Sequence, residues 1–546
     1  MKAHDLIRSA LVRAAESLGA PGADVLLERP RDPTHGDVAT NLALTLAKTL
    51  QTKPRAIAER LVQALQLPPG IVRKVEIAGP GFINFVLAEA QLAHVLSVVL
   101  ETGTRYGRQD AGMRTKINVE FVSANPTGPL HVGHGRGASH GDAIATLYEW
   151  TGHEVTREFY VNDAGLQIDK VAQSLWARVQ QQLGRPAEIP EGGYQGAYLV
   201  DLAEGVLARE GKGFADLPEA EGVRRCRTIA VGSQRAEQDE DLKEFGVRFD
   251  VTFFESELYR SGAIERTLAD LGARGLTFEE DGALWLRTTA FGDDKDRVLR
   301  KSDGSYTYFV PDIAYHRDKH ERGFAQAIDV WGADHHGYVP RMRAAMRAMG
   351  YPDAFFHVEI IQLVRVMRAG EEVRFSKRSG EFVTLRDLFE EAGVDAARYF
   401  FLMKRPDAQF VFDLDLAKSQ TEENPVFYVQ MAHARMSGIF RVAGRDPEGV
   451  TAAGVDLSAL TQPEELDLLK ELGEFPGVVT RAAETREPHR ITGFLEGLAR
   501  LSHAWYHKYR VLGEPEEAAR LVLARATRQV LANGLTILGI SSPDRM

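Results

Sequence analysis

The segment ANPTGPLHVGHGRGASHGD, residues 124–142, combines histidines with closely spaced glycines. His131 and His134 are three residues apart, so both imidazoles can point at one phosphate and stabilise the negative charge that grows during its displacement. Gly133 and Gly135 would let the backbone approach such a ligand closely. The pattern therefore favours a nucleotide site. A metal-binding histidine pair or a glycine-rich turn is the alternative.

A second chemically suited segment is RFSKRSG, residues 374–380. Arg374 and Lys377 could clamp phosphate, and Ser376 adds a hydroxyl. This combination suits a triphosphate whose β- and γ-phosphates leave together as pyrophosphate. A solvated turn is the alternative, since clusters of charged residues are usually exposed.

The elements around the histidines predict where they lie. KINVEFV alternates Ile117, Val119 and Phe121 on one face, as a strand does, and the helical stripe that follows ends at Gly152. The histidines then lie between the carboxyl end of a strand and the start of a helix. Open α/β sheets bind ligands at this edge, and a helix N-terminus favours phosphate.

The composition of the 546-residue chain excludes several classes of protein. No uncharged apolar run reaches the roughly 18 residues of a membrane helix, and Asp5, Arg8 and Arg13 interrupt the first segment where a signal peptide would be apolar. The single cysteine, Cys226, permits no internal disulfide, in agreement with a cytoplasmic location. A net charge of -11 argues against indiscriminate nucleic-acid binding, so any RNA site must be local.

Periodicity divides the chain into three regions. Residues 1–108 predict an α+β unit, with a helix that begins near Pro54 and a hairpin in which IVRKVEI and FINFVL flank a turn. Residues 109–405 predict a parallel sheet covered by helices, because the strand-like runs KINVEFV, EVTREFYV, RFDVTFF, AIDVWGA and VEIIQLVRV alternate with helical segments. A helical insertion is predicted at about 172–245, and residues 406–546 predict helices.

The two phosphate-binding candidates together resemble the HIGH and KMSKS signatures of class I aminoacyl-tRNA synthetases. They stand here as His131-Val132-Gly133-His134 and Arg374-Phe375-Ser376-Lys377-Arg378. Further stretches, among them YVNDAGLQI, DGSYTYFVPDIAYH, NPVFYVQMAHAR and the closing LGISSPDRM, resemble arginyl-tRNA synthetases of the bacterial type along nearly the whole chain. The resemblance implies a Rossmann-like α/β catalytic core, an N-terminal α+β domain that contacts tRNA, and a C-terminal all-α bundle that binds the anticodon.

The same resemblance implies ATP-dependent ligation of L-arginine to its tRNA through arginyl-adenylate, with bound tRNA needed for activation. It assigns catalysis to His131, His134 and Lys377, and ATP binding to Gly133, Gly135, Arg374, Ser376 and Lys377. Mg²⁺ would accompany ATP, and the sequence indicates no dedicated metal cage. We expect no structural zinc, because the adjacent histidines of GADHHGY would point to opposite faces of a strand.

An arginine substrate needs fixed carboxylates around its guanidinium and a ring beside it. Tyr308 and Asp312 are four residues apart, so they can converge if a helix begins by Pro311, and the family binds guanidinium with such a pair. Glu255 resembles a second carboxylate. The substrate ammonium and carboxylate are assigned by resemblance to Asn125, His131 and Glu120. The alternatives are a core position for Tyr308 and helix caps or salt bridges for the acids.

The segment LSHAWYHKYRVLG is the candidate contact for unpaired tRNA bases, because aromatic rings can stack on bases while basic groups meet phosphate. The candidates are Trp505, Lys508, Tyr509 and Arg510. Trp505, Tyr509 and Leu512 also form a helical stripe typical of a core.

Three other functions share part of this pattern. A nucleotidyltransferase of the same superfamily would not need residues 420–546, and a non-catalytic RNA-binding relative would be expected to have lost one signature. A synthetase for another amino acid should lack the Tyr308 and Asp312 arrangement. We expect a monomer that binds no membrane.

Overall fold

A computed structural model describes residues 2–28, 30, 32, 35–109, 114–163, 165–373 and 383–546. Within these residues the strands form four sheets, the largest of five strands. Helix length and hydropathy in the described part of the chain leave no helix able to cross a membrane.

The N-terminal region packs helices on a three-stranded antiparallel sheet. Its elements are α1 (Lys2–Ser17), β1 (Val38–Thr40), α2 (Leu42–Leu46), α3 (Pro54–Ala64), β2 (Val72–Ala78), β3 (Phe82–Leu87) and α4 (Glu89–Thr102). The strand order is β1-β3-β2. The predicted hairpin is confirmed as β2 and β3. The predicted helix start at Pro54 is also confirmed, since proline lacks the N–H that would be unpaired there.

The middle of the chain alternates strands and helices. Its elements are β4 (Lys116–Glu120), α5 (Val132–Trp150), β5 (Glu154–Val161), α6 (Leu166–Gln182), α7 (Ala197–Glu210), α8 (Glu219–Glu244), β6 (Val251–Phe254), α9 (Glu255–Arg260), α10 (Ala263–Ala273), β7 (Thr277–Glu280), β8 (Ala283–Leu286), β9 (Arg297–Arg300), α11 (Phe309–Glu321), β10 (Gln326–Gly332), α12 (Val339–Ala348) and β11 (Phe356–Ile361).

The central sheet has the order β11-β10-β4-β5-β6, and each neighbouring pair is parallel, as predicted. Its register aligns three acids across adjacent strands: Glu120 on β4 lies opposite Glu158 on β5 and opposite Asp329 on β10. Residues in register on parallel strands share a face, so this alignment forms a row of carboxylates, which we call the carboxylate row. Glu120 is the last residue of β4, and three strand residues follow Glu158 in β5 and Asp329 in β10.

The helical character predicted for the insertion is found in α6, α7 and α8, which lie between β5 and β6. These helices bury a hydrophobic cluster of their own that includes Leu175, Val179, Leu199 and Cys226. The insertion therefore has a separate small core beside the main one.

The run VEIIQLVRV differs from the prediction of one strand. β11 ends at Ile361, and the chain resumes as β12 (Val364–Arg368) in another sheet. At the break, the Gln362 carbonyl accepts a hydrogen bond from Nη1 of the buried Arg136 at 2.9 Å, and its N–H donates to Pro406 O at 3.0 Å. These bonds replace the ladder of the central sheet, so the strand cannot continue.

The C-terminal part is mainly helical. Its elements after β12 are β13 (Glu371–Glu372), α13 (Leu385–Ala392), α14 (Val394–Leu402), β14 (Phe410–Asp413), α15 (Leu414–Lys418), α16 (Pro425–Ala443), α17 (Pro463–Thr485), α18 (His489–Lys508) and α19 (Glu517–Leu538). β14 pairs with β12, so one short strand falls in the region predicted to be all helical, and helices alone follow it.

Candidate active site

The two signature histidines cap the N-terminus of α5. His131 is the N-cap residue, and its Nδ1 accepts a hydrogen bond from the backbone N–H of His134 at 3.2 Å. In return, Nδ1 of His134 accepts from the backbone N–H of His131 at 3.2 Å, and the two rings stack with centroids 3.7 Å apart. Because both Nδ1 atoms act as acceptors, each neutral ring carries its proton on Nε2.

Both imidazoles are uncharged near neutral pH. Burial lowers the pKa of His131, although Asp334 partly opposes this shift. Burial and the neighbouring His131 ring hold the pKa of His134 well below its ordinary value. The N-terminus of α5 therefore presents two neutral Nε2–H donors beside the positive end of a helix dipole, an arrangement suited to phosphate.

The glycines of this segment serve packing as well as access. A Cβ at Gly135 would lie 2.4 Å from Leu385 Cδ1, and one at Gly133 would lie 2.9 Å from the His131 ring. Gly135 is buried, so its lack of a side chain lets α5 pack closely against α13. Its contact with a nucleotide stays a prediction.

An acidic recess lies at the same edge of the sheet. Glu255 is the first residue of α9, directly after β6, and Asp312 lies in the first turn of α11. The Tyr160 hydroxyl donates to Glu255 Oε2 at 2.9 Å, and the Tyr338 hydroxyl donates to Asp312 Oδ2 at 2.5 Å. We call these four residues the acidic recess. Its carboxylates interact electrostatically with each other.

The pKa values of both carboxyl groups are raised. Burial raises the pKa of Glu255 to about 7, with a further contribution from Asp312, although the Tyr160 hydrogen bond opposes the shift. Burial also raises the pKa of Asp312, against the opposing Tyr338 hydrogen bond. An incoming cation would reverse both shifts, so the recess favours a positively charged ligand.

The predicted convergence of Tyr308 and Asp312 is only partly found. α11 begins before Pro311, as the prediction required, but Tyr308 is its N-cap residue and is 69% exposed, whereas the Asp312 carboxylate points inward. Tyr160 and Tyr338 supply the hydroxyls that contact the recess. The sequence patterns singled out neither, although Tyr338 belongs to GADHHGY and Tyr160 is the next-to-last residue of the strand-like EVTREFYV.

Glu120 ends β4 and is almost completely buried. Its Oε1 accepts from the Ser123 hydroxyl at 2.9 Å, and its Oε2 accepts from Lys319 Nζ at 2.6 Å. Val122 and Ser123 have left-handed backbones, with φ of 67° and 39°. Such conformations are strained for residues other than glycine and cluster at functional sites. The strained turn directs the chain from β4 toward α5.

Asn125 connects this turn to the helical insertion. Its side-chain amide donates to Gln167 Oε1 at 2.6 Å, and its carbonyl accepts from Gln238 Nε2 at 3.1 Å. Asn125 therefore has one hydrogen-bond partner on α6 and one on α8. A movement of the insertion would be transmitted to it.

The second phosphate-binding candidate cannot be compared with the first. Arg374, Ser376 and Lys377 lie outside the described residues. His335 and His336 belong to a 3₁₀ turn, Ala333–Tyr338, at the carboxyl end of β10, so the argument that placed them on opposite faces of a strand was wrong. Among the residues that the structure describes, no three His, Cys, Asp or Glu side chains are grouped to hold a metal.

In the candidate tRNA segment the structure separates core from surface. Trp505 has no exposed surface, so it occupies the core stripe and has no face open to a base. Lys508 and Tyr509 both bind Glu464 at 2.6 Å, and Arg510 is exposed. Tyr506 is 40% exposed and was not among the predicted residues. The helical stripe of Trp505, Tyr509 and Leu512 thus correctly indicated a core position for Trp505, but it did not single out Tyr506.

A parallel sheet with paired histidines at the first helix N-terminus on its carboxyl edge is the arrangement expected of a class I aminoacyl-tRNA synthetase. The class is shown by residues 95–437, which match the family described as tRNA synthetases class I (R), catalytic domain. Residues 1–87 match the arginyl tRNA synthetase N terminal domain, and residues 429–546 match the DALR anticodon binding domain. The chain belongs to the arginyl-tRNA synthetase family.

Relatives agree with this assignment over the full length. The arginine–tRNA ligase of Oceanobacillus iheyensis is 46% identical over 548 residues, which cover 100% of this chain and 98% of that protein. That of Syntrophotalea carbinolica is 49% identical over 96% of this chain and 95% of its own length. The solved Thermus thermophilus arginyl-tRNA synthetase has a TM-score of 0.76 and 25% identity, covering 100% of both chains. The resemblance noted from the sequence is confirmed.

Proposed function

We propose that this protein ligates L-arginine to its tRNA at the expense of ATP, through an arginyl-adenylate. The observation that carries the proposal is the pairing of two sites at one edge of the central sheet. Neutral Nε2–H donors stand at the N-terminus of α5, and two buried carboxylates without an ion pair in the described structure form a recess beside them. The first suits a triphosphate and the second suits a guanidinium.

In the first step the arginine carboxylate attacks the α-phosphorus in line. The new bond joins the carboxylate oxygen to phosphorus as the bond to the β-phosphate bridge breaks, and pyrophosphate leaves. His131 and His134 donate hydrogen bonds to the phosphates without themselves changing charge. Lys377, Arg374 and Ser376 complete the phosphate site with a cation and a hydroxyl, and Gly133 and Gly135 line it. ATP enters as its Mg²⁺ complex, so the metal belongs to the substrate.

Arginine is recognised at both ends. Asp312 and Glu255 receive the guanidinium, whose planar fork can donate paired hydrogen bonds, and the exposed ring of Tyr308 lies at the mouth of the recess. Asn125, with His131 and Glu120, receives the ammonium and carboxylate. Lysine offers one compact ammonium and would leave buried acceptors unmatched, which can give discrimination of about 10⁴ or more.

In the second step a ribose hydroxyl of the tRNA attacks the activated carbonyl, and AMP leaves. The N-terminal domain, within residues 1–108, and the helical domain, residues 406–546, contact the tRNA, and the catalytic domain, residues 109–405, carries out the chemistry. Bound tRNA is needed for the activation step as well. The reaction serves translation, and this supports a cytoplasmic location; one chain contains all the parts named here, which supports a monomer.

The tRNA contact on the helical domain is best supported at the surface around Tyr506. Its exposed ring lies 6.0 Å from the guanidinium of Arg435, and Met431, Arg441 and Met546 line the same groove. Lys508 and Arg510 add positive charge nearby. An exposed ring between cations can stack on an unpaired base, whereas Trp505 supports the fold beneath it.

The decisive experiment is pyrophosphate exchange with each amino acid, with and without total tRNA. We expect exchange with arginine only when tRNA is present. Asp312→Asn should raise the KM for arginine at least about thirtyfold, since breaking a buried charge contact is costly. Glu321→Gln, at the exposed end of the same helix, is the control and should leave that KM unchanged. Exchange with another amino acid in the absence of tRNA would overturn the proposal.

The tRNA surface has its own test. Tyr506→Ala should raise the KM for tRNA about tenfold through the loss of one stacked base, with the KM for arginine unchanged. Unaltered tRNA kinetics would remove Tyr506 from the contact surface and leave the catalytic proposal intact.

A further inference from the structure

One face of α11 is ionic where it packs on the central sheet. Lys319 has no exposed surface, and its Nζ donates to Glu120 Oε2 at 2.6 Å and to Asp329 Oδ1 at 2.9 Å. One turn earlier, His316 contacts Asp329 Oδ2 through Nε2 at 2.8 Å and the Asp312 carbonyl through Nδ1 at 2.8 Å. The interface that supports Asp312 therefore contains buried charged groups beside apolar residues such as Phe309 and Ile313.

The hydrogen bonds of His316 require an imidazolium. The Asp312 carbonyl can only accept a hydrogen bond, so Nδ1 carries a proton. Burial raises the pKa of Asp329, but Lys319 and His316 outweigh it and hold this pKa at about 2, so the carboxylate also only accepts. Nε2 must then carry a proton as well. α11 thus brings two cations, His316 and Lys319, to the carboxylate row.

The third acid of the row has its own cation. Arg322, one turn beyond Lys319, donates to both oxygens of Glu158 at 2.7 and 2.8 Å, and the Tyr315 hydroxyl donates to the same carboxylate at 2.7 Å. Three cations of α11 therefore face the three carboxylates that the sheet register places side by side.

The pKa of Lys319 agrees with this arrangement. Burial lowers it, but Asp329, Glu120 and Glu158 outweigh burial, and the pKa lies above its ordinary value. Burial raises the pKa of Glu120, and Lys319 opposes that shift. Without the lysine charge, two neighbouring buried carboxylates would repel each other or take up a proton.

The acidic recess differs from the carboxylate row in its lack of ion pairs within the described part of the chain. Among the described residues no ion pair is formed by Asp312 or Glu255, which receive tyrosine hydroxyls. The cations of α11 thus balance the acids of the row and leave the two acids of the recess for an external cation.

We infer that Lys319 and His316 are positioning residues for arginine recognition: they neutralise the carboxylate row and hold the first turn of α11, with Asp312, against the sheet. This inference rests on the proposed function. Neither side chain touches the substrate. They act by keeping the negative charge of the pocket at the two carboxylates that meet the guanidinium, and by fixing the distance of Asp312 from Glu120.

The test is Lys319→Met, which keeps an unbranched stem and removes the charge. We expect the KM for arginine to rise at least about tenfold, with the KM values for ATP and tRNA within about twofold of wild type. Arg317→Met, on the same helix but paired with Glu321 on its outer side, is the matched control and should leave all three values unchanged.

A double variant distinguishes a lost charge balance from a general loss of structure. When Asp329→Asn is combined with Lys319→Met, one negative charge is removed together with the positive charge of the lysine. The amide oxygen of the new asparagine can still accept a hydrogen bond from His316. We expect the double variant to recover the KM for arginine to within about threefold of wild type. A double variant as weak as the single one would overturn the charge argument.

If Lys319→Met does not fold, as judged by circular dichroism, His316→Gln carries the test. It keeps a donor toward Asp329 without the charge and should raise the KM for arginine about fivefold at constant KM for ATP. Equal changes for arginine and ATP, or no change, would overturn the inference. Absence of arginine-dependent activity in the wild-type protein would instead overturn the proposed function.

Discussion

The raised pKa values in the acidic recess predict that arginine affinity falls as pH falls. Arginine binds the recess when Glu255 is ionised, but burial raises the pKa of this carboxyl to about 7 in the free protein. The carboxylate fraction is then about 0.09 at pH 6 and about 0.9 at pH 8. The affinity for arginine is therefore highest above the raised pKa of Glu255 and falls as the pH falls through that pKa.

The size of the effect follows from these populations. An apparent dissociation constant equals the intrinsic one divided by the competent fraction, so arginine should bind about tenfold more weakly at pH 6 than at pH 8, or about 1.4 kcal/mol. Burial raises the pKa of Asp312 in the same direction, so its titration can only steepen this dependence.

The assay is equilibrium binding of radiolabelled arginine between pH 6 and 8, with the KM for arginine measured in parallel. Glu255→Gln should remove the tenfold dependence and leave only the part that Asp312 contributes. Glu257→Gln, two residues along the same helix and exposed beside Arg260, should retain it. The KM for ATP should vary less than the KM for arginine, because burial lowers the pKa of His131 and of His134 and so opposes protonation of both rings.

A dissociation constant for arginine that changes by less than about twofold over this range would refute the reasoning. It would mean that Glu255 is ionised throughout, and hence that the recess is wetter than its geometry indicates. An undiminished tenfold dependence in Glu255→Gln would assign the titration to another group.

Two further predictions concern stability and are read from urea unfolding. In Gly141→Ala the new Cβ would lie 2.2 Å from Cγ of the buried Phe121, so we expect a loss of about 1–3 kcal/mol. In the control Gly205→Ala nothing lies within 4 Å of the new Cβ, so the free energy of unfolding should rise by up to about 1 kcal/mol. Equal free energies of unfolding for the two variants would contradict the close contact at Gly141. Arg398→Met removes a buried guanidinium 2.6 Å from Asp142 and should lose about 3–5 kcal/mol; an unchanged midpoint would show that the pair adds nothing.

Much of the fold could be predicted because it depends on local patterns. Alternation in KINVEFV and EVTREFYV predicted β4 and β5, and the order of strands and helices predicted a parallel sheet. The position of His131 at the junction of strand and helix followed from the same patterns, since neighbours in the chain determine where a helix begins.

Contacts between distant segments could not be predicted in this way. Nothing within VEIIQLVRV indicates the break after Ile361, because its cause is a carbonyl bonded to Arg136, more than two hundred residues away. The helical stripe indicated that Trp505 is buried, but no local pattern shows that the neighbouring Tyr506 ring is exposed beside Arg435. The packing of the bundle decides this.

The sequence by itself determined which chemical groups are available and which of them lie at element boundaries: the histidine pair, the acids after the strands, and the glycines at the start of α5. Only the tertiary structure decided which of the acids remain for a ligand. Glu120, Glu158 and Asp329 come from three strands far apart in the chain, and the sheet register aligns them against the cations of α11. Electrostatic interaction depends on distance in space, so these pairings arise only when the sheet and helix meet.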